Sequence, residues 1–182
     1  RAHGGTAIIL RQNIMFNKME EYQMDHLQAT TIQINDTLGQ LTISAAYCPP
    51  KHNNKTTQYA NYLETLGSRF IAGGDYNAKN MKWGSRLTNT KGKALLDAIR
   101  ARNCNYISTG EPTYWPSDIK KVPDLLDFFI MKSINPNVLT IESCLELSSD
   151  HSPIILRTQQ PPQQYLNPPL YNHRTDWNAF TE

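Results

Sequence analysis

The stretch "SRFIAGGDYNAKN", residues 68–80, decides the fold because a short apolar run ends there in a polar cluster. Residues 70–72 are typical of a buried strand, and the pair Gly73-Gly74 predicts a turn after it. Asp75 and Asn77 are two positions apart, so in an extended segment their side chains converge on one face. An Asx-type turn explains the same two residues, since Asp and Asn are common in turns.

Two further stretches combine an apolar strand with polar groups. In "DLLDFFI", Asp127 lies among apolar neighbours, where a lone carboxylate is costly unless it is paired, and an imidazole N–H is a natural partner. A half-exposed strand with Asp127 facing solvent is the alternative. In "LSSDHSPI", Asp150 and His151 are adjacent, so in a strand they point to opposite faces and do not pair with each other. His151 is also consistent with a core or edge histidine.

The polar groups at these strands are mainly hard oxygen donors, namely Asp75, Asn77 and Asp150. Such donors favour Mg²⁺, or Mn²⁺, over zinc. A cation, an imidazole and an amide are together the parts of a site for phosphodiester hydrolysis.

The remaining pattern predicts an α/β fold. Strands are expected in "GGTAIILRQ", "HLQATTIQIN" and "GQLTISAAYCPP", with "NDTLG" joining the second and third as a hairpin. Helices are expected in "NNKTTQYANYLETLG" and "TKGKALLDAIRARN", and short strands in "CNYIST", "LLDFFIMK", "VLTIESCLEL" and "SPIILRTQ". We therefore expect two mixed sheets packed face to face with helices outside.

The composition limits the function classes. The chain has 182 residues, 39% hydrophobic and 19% charged, which fits one globular domain. The formal net charge of +2 requires any nucleic-acid contact to come from local positive charge. The 3 cysteines lack CxxC spacing, so free thiols in a reducing compartment are expected rather than a disulfide framework or a zinc site. No apolar stretch approaches the roughly 18 residues of a membrane span, and no signal peptide is recognised.

The two ends differ in character from the middle. The sequence starts without Met, almost inside a strand, and is interpreted as a fragment whose N-terminal part is missing. Residues 1–157 are assigned to one domain. Residues 158–182 are rich in Pro and Gln and are interpreted as a linker, with "TDWNAF" able to begin a helix.

In their order, the motifs "GGTAII", "SAAYCPP", "GGDYNAKNMKWGSR", "PTYW", "DLLDFF" and "SSDHSPI" resemble the endonuclease/exonuclease/phosphatase superfamily. The nearer resemblance is to the apurinic-like endonuclease domain of non-LTR retrotransposons of the jockey type. This resemblance implies a four-layered α/β sandwich, here lacking its first strands, and a linker that leads towards a reverse transcriptase domain.

The resemblance also implies roles for the matching positions. Asp75 corresponds to the water-activating acid or base, Asn77 to the amide that holds the scissile phosphate, and Tyr47 to a phosphate-contacting tyrosine. Asp127 corresponds to the aspartate that orients the histidine, and His151 to the phosphate-binding, charge-stabilising histidine. Asp150 corresponds to an acid near the metal, so the expected ligands of Mg²⁺ or Mn²⁺ are Asp150, Asp75 and Asn77.

The sequence departs from the family pattern in a few places. The family carries an Asn and a metal-binding Glu upstream of the "GGTAI" motif, and this sequence begins at that motif. The superfamily's "GDFN" is "GDYN" here, and Asn80 stands where retroelement domains often have His. The activity of the chain alone is therefore in question.

The implied activity is an Mg²⁺-dependent endonuclease that nicks double-stranded target DNA to prime reverse transcription of the element RNA. Candidate DNA contacts lie in two loops: Lys79, Lys82, Trp83 and Arg86 in the first, and Tyr114, Trp115, Lys120 and Lys121 in the second. Surface lysines and core-packed tryptophans are the alternative interpretation. The implied protein is a monomeric domain of a polyprotein, made in the cytoplasm, acting in the nucleus and not bound to a membrane.

Two other functions remain open. One is a different superfamily phosphoesterase, such as an inositol-phosphate phosphatase or a sphingomyelinase. The other is an inactive relic of a retrotransposon.

Overall fold

The computed structural model describes residues 4–144, 149–164 and Asp176. The strands are β1 (Phe16–Lys18), β2 (Tyr22–Met24), β3 (Leu27–Asp36), β4 (Gly39–Tyr47), β5 (Phe70–Asp75), β6 (Asn105–Ile107), β7 (Asp127–Lys132), β8 (Leu139–Ser143) and β9 (Ile154–Thr158). The α-helices are α1 (Thr56–Thr65) and α2 (Thr90–Ala101), and single 3₁₀ turns occur at Met81–Trp83 and Pro136–Val138.

The central sheet has seven strands in the order β1-β3-β4-β5-β7-β6, and β2 also pairs with β3. In this sheet β4 and β5 pair in parallel, and all the other strand pairs are antiparallel. Strands β8 and β9 form a separate antiparallel pair. The predicted hairpin joins β3 to β4, with Asp36 opposite Gly39.

Each face of the central sheet carries its own core cluster. On one face, α1 and α2 pack through Tyr59, Tyr62, Leu63, Leu95 and Ile99. On the other face, a smaller cluster joins the central sheet to the two-stranded sheet through side chains that include Ile34, Leu41, Met131, Leu139 and Leu156. The mixed α/β prediction is confirmed. The described residues supply three layers of the expected four: helices, the central sheet and the two-stranded sheet.

The helices begin where capping groups are available. The Asn89 side chain accepts a hydrogen bond from the Gly92 N–H at 2.7 Å, which satisfies one of the free amides in the first turn of α2. At α1, the Gln58 side chain accepts from the Lys55 N–H at 2.7 Å. Both predicted helices are confirmed.

The Gly-Gly turn predicted at residues 73–74 is wrong, because both glycines lie inside β5. At Gly74 the backbone φ is +154°, and a Cβ there would lie 1.8 Å from the Ala46 carbonyl oxygen on the parallel neighbour. A Cβ on Gly73 would meet the Phe129 ring at 2.4 Å. The glycines therefore permit close packing of a strand rather than a reversal of the chain.

The strand predicted in "GGTAIILRQ" is also wrong, because residues 4–12 carry no strand pairing in the structure. The Thr6 and Thr30 hydroxyls lie 2.9 Å apart, and Ile8 and Leu10 pack against the smaller core cluster while Ile9 is 96% exposed. This segment therefore contacts the face of the sheet through side chains instead of extending an edge through its backbone. The short edge strands β1 and β2 were not predicted.

Three expectations concern the ends and the cysteines. All three cysteines are free, as predicted. No helix among the described residues is long and apolar enough to cross a membrane. The predicted linker and its "TDWNAF" helix fall largely outside the described residues, as does the stretch 145–148.

Candidate active site

Three adjacent strands of the central sheet bring Tyr47, Asp75 and Asp127 into one row. Tyr47 is the last residue of β4 and lies opposite Asp75, the last residue of β5. Asp75 in turn lies opposite Asp127, the first residue of β7. Paired residues of neighbouring strands project to the same face. The row is therefore on the face of the smaller core cluster, where Ile43 and Ile71 also point.

Asp75 and Asn77 contact each other directly. Asp75 Oδ1 accepts the Asn77 backbone N–H at 2.8 Å, and Asp75 Oδ2 accepts from Asn77 Nδ2 at 2.6 Å. Asn77 has a left-handed φ of +46°, and its Nδ2 also donates to the Cys48 carbonyl at 3.2 Å. Both sequence interpretations therefore apply, since an Asx turn is what brings the two side chains together.

The electrostatic surroundings of Asp75 make its carboxylate a proton acceptor near neutral pH. Burial raises the pKa of Asp75 to about 6, and the negative charge of Asp127 adds to this rise. The Asn77 N–H, His151 and Lys91 act in the opposite direction. Burial also raises the pKa of Tyr47, with the Asp75 charge as the next cause.

His151 pairs with Asp127, as the resemblance predicted. His151 Nδ1 lies 2.8 Å from Asp127 Oδ2, and the same oxygen accepts a hydrogen bond from the Thr113 hydroxyl at 2.7 Å. The hydrogen bond to Asp127 raises the pKa of His151, burial opposes this, and the charges of Asp127, Asp75 and Asp150 raise it further. The imidazole is thereby held in position and favoured in its charged form.

Asp150 takes a separate position from His151. Its side chain is exposed, and its backbone carbonyl accepts the Trp115 N–H at 2.7 Å. Within the described ranges, no group of three or more His, Cys, Asp and Glu side chains is gathered for a metal ion. The structure joins Asp75 with Asn77, and the ligand set Asp150, Asp75 and Asn77 stays a prediction.

The first candidate DNA-binding loop contains two residues that the structure uses internally. Trp83 is only 1% exposed, its indole stacks on Phe128 with ring centroids 4.8 Å apart, and its Nε1 donates to the Ala78 carbonyl. The prediction that Trp83 stacks on or wedges into DNA is therefore wrong. Lys79 Nζ lies 2.8 Å from Asp124 Oδ2, a buried carboxylate, so this lysine neutralises a buried charge. Lys82 and Arg86 are exposed.

The second candidate loop lies beside His151. The ring centroids of Tyr114 and His151 are 5.0 Å apart. The Tyr114 backbone also forms isolated antiparallel β-bridges with Asp124 and with His151. Trp115 is 44% exposed while its Nε1 donates to the Ser152 hydroxyl at 2.9 Å. Lys120 and Lys121 are exposed. Tyr114 and Trp115 are thus fixed next to the row of site residues with part of their rings accessible.

Three residues of the site region were missed by sequence reasoning. Thr113 is fully buried beneath Asp127, and Asp124 accepts hydrogen bonds from the Arg86 and Leu125 amides in addition to pairing with Lys79. Lys91 is 3% exposed and donates to the Pro49 carbonyl at 3.0 Å, just after Tyr47. Thr113 lies in the quoted motif "PTYW" and Asp124 begins "DLLDFF", so these motifs could have pointed to both residues, whereas a lysine at a helix start such as Lys91 carries no distinctive signal.

A family model described as endonuclease-reverse transcriptase matches residues 41–155. Among curated proteins, the RNA-directed DNA polymerase from mobile element jockey of Drosophila melanogaster is 31% identical over 183 residues, covering 98% of this chain and 20% of the relative. The protein of the same name from Drosophila funebris is 31% identical over 154 residues, covering 85% of this chain and 17% of the relative. The chain spans about a fifth of the length of these relatives.

Two solved structures share the fold. The endonuclease domain of TRAS1, a telomere-specific non-LTR retrotransposon, superposes with a TM-score of 0.64 at 18% identity, covering 72% of this chain and 63% of that one. The catalytic domain of Xenopus laevis APE2 superposes with a TM-score of 0.51 at 15% identity, covering 79% and 58%.

The matched range 41–155 runs from β4 to β9 and contains the entire row of site residues together with His151. The resemblance to jockey-type elements is confirmed, and the chain belongs to the endonuclease-reverse transcriptase family.

Proposed function

We propose that this chain is the endonuclease domain of a non-LTR retrotransposon polyprotein, which nicks double-stranded DNA so that the new 3′-hydroxyl primes reverse transcription of the element RNA. The observation that carries the proposal is the Tyr47–Asp75–Asp127 row with His151 bound to Asp127. The jockey polymerase of Drosophila melanogaster, which matches 98% of this chain, supports the polyprotein context. Acting on chromosomal DNA implies a nuclear site of action after synthesis in the cytoplasm.

The chemistry divides among the site residues. Asp75, a carboxylate in the row, accepts a proton from water while the water oxygen forms a bond to phosphorus. The bond between phosphorus and the 3′-oxygen breaks, and that oxygen takes up a proton from solvent water to become the 3′-hydroxyl, while the phosphate remains on the 5′ side of the nick. His151, favoured in its charged form by Asp127, offsets negative charge on the phosphate. Tyr47 and Asn77 contact the phosphate oxygens.

The donor set fits Mg²⁺, with Mn²⁺ as a substitute. Asp75 and Asp150 supply carboxylate oxygens and Asn77 an amide oxygen, which are the hard donors that these ions prefer. The buried Asp75 carboxylate faces the charge of Asp127, a repulsion that a nearby cation would relieve. When bound, the ion supplies Lewis acidity that offsets phosphate charge.

The test is nicking of supercoiled plasmid in Mg²⁺ by the 182-residue chain, beside a longer chain that includes the upstream strands of the family pattern. We expect Asp75→Ala and His151→Ala to reduce the rate by about a thousandfold or more, because each removes a group that acts in the transition state. Chelation with EDTA should stop the reaction.

The matched control is Glu20→Ala, which removes an exposed carboxylate in the loop between β1 and β2. It should nick at the wild-type rate. Absence of nicking by both chains would support the inactive relic, and nicking at full rate by His151→Ala would contradict the site. Hydrolysis of inositol phosphates or sphingomyelin in preference to DNA would favour another phosphoesterase.

A further inference from the structure

The segment that follows Asp75 has an unusual charge pattern. Residues 76–96 contain Lys79, Lys82, Arg86, Lys91 and Lys93 and no Asp or Glu, in a chain whose formal net charge is only +2. Lys79 and Lys91 are committed to the fold through Asp124 and the Pro49 carbonyl. Lys82 and Arg86 are exposed and form no ion pair with a residue that the structure describes. The positive charges of Lys82 and Arg86 are therefore not neutralised by an ion pair within the described part of the chain.

The same loop exposes apolar side chains. Met81 is 70% exposed and Leu87 is 43% exposed, and each is next to one of the two free cations in sequence. We define the contact loop as residues 81–87. Its two arms are joined at the base, since the Met81 N–H donates to the Thr88 hydroxyl and the Asn89 N–H donates to the Lys79 carbonyl.

The contact loop is held by buried anchors on its inner side. Trp83 fills the core above Phe128, and the Ser85 hydroxyl donates to the Leu125 carbonyl at 2.8 Å. The Arg86 N–H donates to Asp124 Oδ1 at 3.0 Å, and the Asn80 side chain accepts from the Lys82 N–H at 3.0 Å. The loop backbone is thus fixed before a ligand arrives, which lowers the entropy that binding would cost.

Cations alternating with apolar side chains match the backbone of duplex DNA, in which anionic phosphates alternate with apolar sugar surfaces. A protein partner would need a complementary acidic surface, whereas DNA provides the negative charge with every nucleotide. The Arg86 N–H donates to Asp124, whose carbonyl accepts the backbone N–H groups of Thr113 and Tyr114 next to His151, so a duplex held at the site passes close to the loop.

We propose that the contact loop is a preformed docking surface for the sugar–phosphate backbone of duplex DNA next to the scissile phosphate. Lys82 and Arg86 bind phosphates, and Met81 and Leu87 pack against deoxyriboses. The proposal rests on the proposed function and adds the site that holds its substrate.

The test is fluorescence anisotropy of a labelled DNA duplex with the full chain in EDTA, repeated over a series of salt concentrations. Lys82→Gln/Arg86→Gln should weaken binding and lower the slope of log Kd against log salt by about 2, since each phosphate contact contributes about 0.9. Met81→Ser/Leu87→Ser should weaken binding by roughly tenfold without changing the slope, because it removes apolar contacts and no charge.

The matched control is Arg100→Gln/Lys132→Gln, which removes two charges at the ends of α2 and β7 that lie away from the site. Because these two residues contact no phosphate, the slope of log Kd against log salt should stay close to the wild-type slope. An equal loss of slope in the control, an unchanged slope in the Lys82/Arg86 variant, or wild-type affinity in the Met81/Leu87 variant would each overturn the proposal. Thermal unfolding of every variant at the wild-type temperature shows that the fold is intact.

The binding assay contains no Mg²⁺, so its outcome is separate from that of the nicking assay. Loop-dependent binding without nicking by any chain would leave the contact loop standing and overturn the proposed function. If the chain nicks DNA but the loop variants bind DNA like wild type, the proposed function stands and the contact loop is overturned.

Discussion

At the scale of single residues, one oxygen organises the histidine side of the site. Asp127 Oδ2 accepts from both His151 and Thr113, and the Thr113 hydroxyl oxygen in turn accepts the backbone N–H groups of Leu126 and Asp127 at 3.0 Å each. Thr113 therefore fixes the side chain and the backbone of Asp127 together. A carboxylate held on two sides presents a defined direction to the imidazole.

Removing the Thr113 hydroxyl should therefore destabilise the fold. Thr113→Val keeps the shape but leaves two buried amides without their acceptor and Asp127 without a donor, so we expect a loss of about 2–4 kcal/mol in the free energy of unfolding. Urea unfolding monitored by tryptophan fluorescence measures it. Thr113→Ser keeps the hydroxyl and should recover most of the loss. A Thr113→Val chain that unfolds at the wild-type urea concentration would refute the role given to this hydroxyl.

At the scale of elements, the β3–β4 hairpin is tied to the start of β5 by a buried ion pair. Asp36, at the end of β3, accepts two hydrogen bonds from the Arg69 guanidinium, at 3.1 and 2.6 Å, and its side chain is 2% exposed. Burial raises the pKa of Asp36, but the Arg69 hydrogen bond and charge and the Leu38 N–H outweigh burial, so its pKa lies below the ordinary value. The pair thereby fixes the register that leads into β5.

The lowered pKa of Asp36 gives a pH dependence of stability. A carboxylate with a depressed folded-state pKa stabilises the fold above its unfolded pKa of about 3.9, and this contribution is lost as pH falls through the folded pKa. We expect Asp36→Asn to cost about 3 kcal/mol at pH 7, because it leaves Arg69 without its charge partner. The difference from wild type should shrink as the pH falls below about 4.

Urea unfolding of both chains between neutral and acidic pH measures this dependence. Glu64→Gln provides the control, since Glu64 forms a more exposed ion pair with Arg102. Its effect should stay within about 1 kcal/mol. A pH-independent gap between Asp36→Asn and wild type would argue against a titrating ion pair.

At the scale of the whole molecule, the larger core cluster connects the central sheet to the helices and also to the contact loop. Trp83 belongs to this cluster, with Phe128 on one side and the edge of Tyr106 on the other, 5.7 Å between centroids. The contact loop is therefore anchored in the core through Trp83. This explains how a loop can hold Lys82 and Arg86 in fixed positions.

Truncating Trp83 tests its assignment to the core. Trp83→Ala should lower the free energy of unfolding by about 3–5 kcal/mol, the usual cost of removing a large buried aromatic side chain. Trp83→Phe keeps the stacking surface on Phe128 and should lose less. Trp115→Ala, which truncates a tryptophan that is 44% exposed, is the matched control and should cost clearly less. Similar losses for Trp83→Ala and Trp115→Ala would contradict the distinction between the two tryptophans.

The amino-acid sequence by itself determined the two helices and the β3–β4 hairpin, and its ordered motifs identified the family, whose pattern implied the pairing of His151 with Asp127. These features follow from local periodicity, from turn residues and from ordered motifs, all of which are written along the chain. It failed at Gly73 and Gly74, at residues 4–12 and at Trp83. In each case the outcome depends on what lies opposite: Ala46 and Phe129 across β5, Thr30 beneath Thr6, and Phe128 under the indole.

Only the tertiary structure decided which polar residues meet. Tyr47, Asp75 and Asp127 are far apart in sequence, and the register of a parallel and an antiparallel pairing brings them into one row. The fold also brought Thr113 against Asp127, and Asp124 against Lys79 and Arg86, although these residues are far apart in sequence. Register is a long-range property, because a shift of one residue would turn every side chain of a strand to the other face.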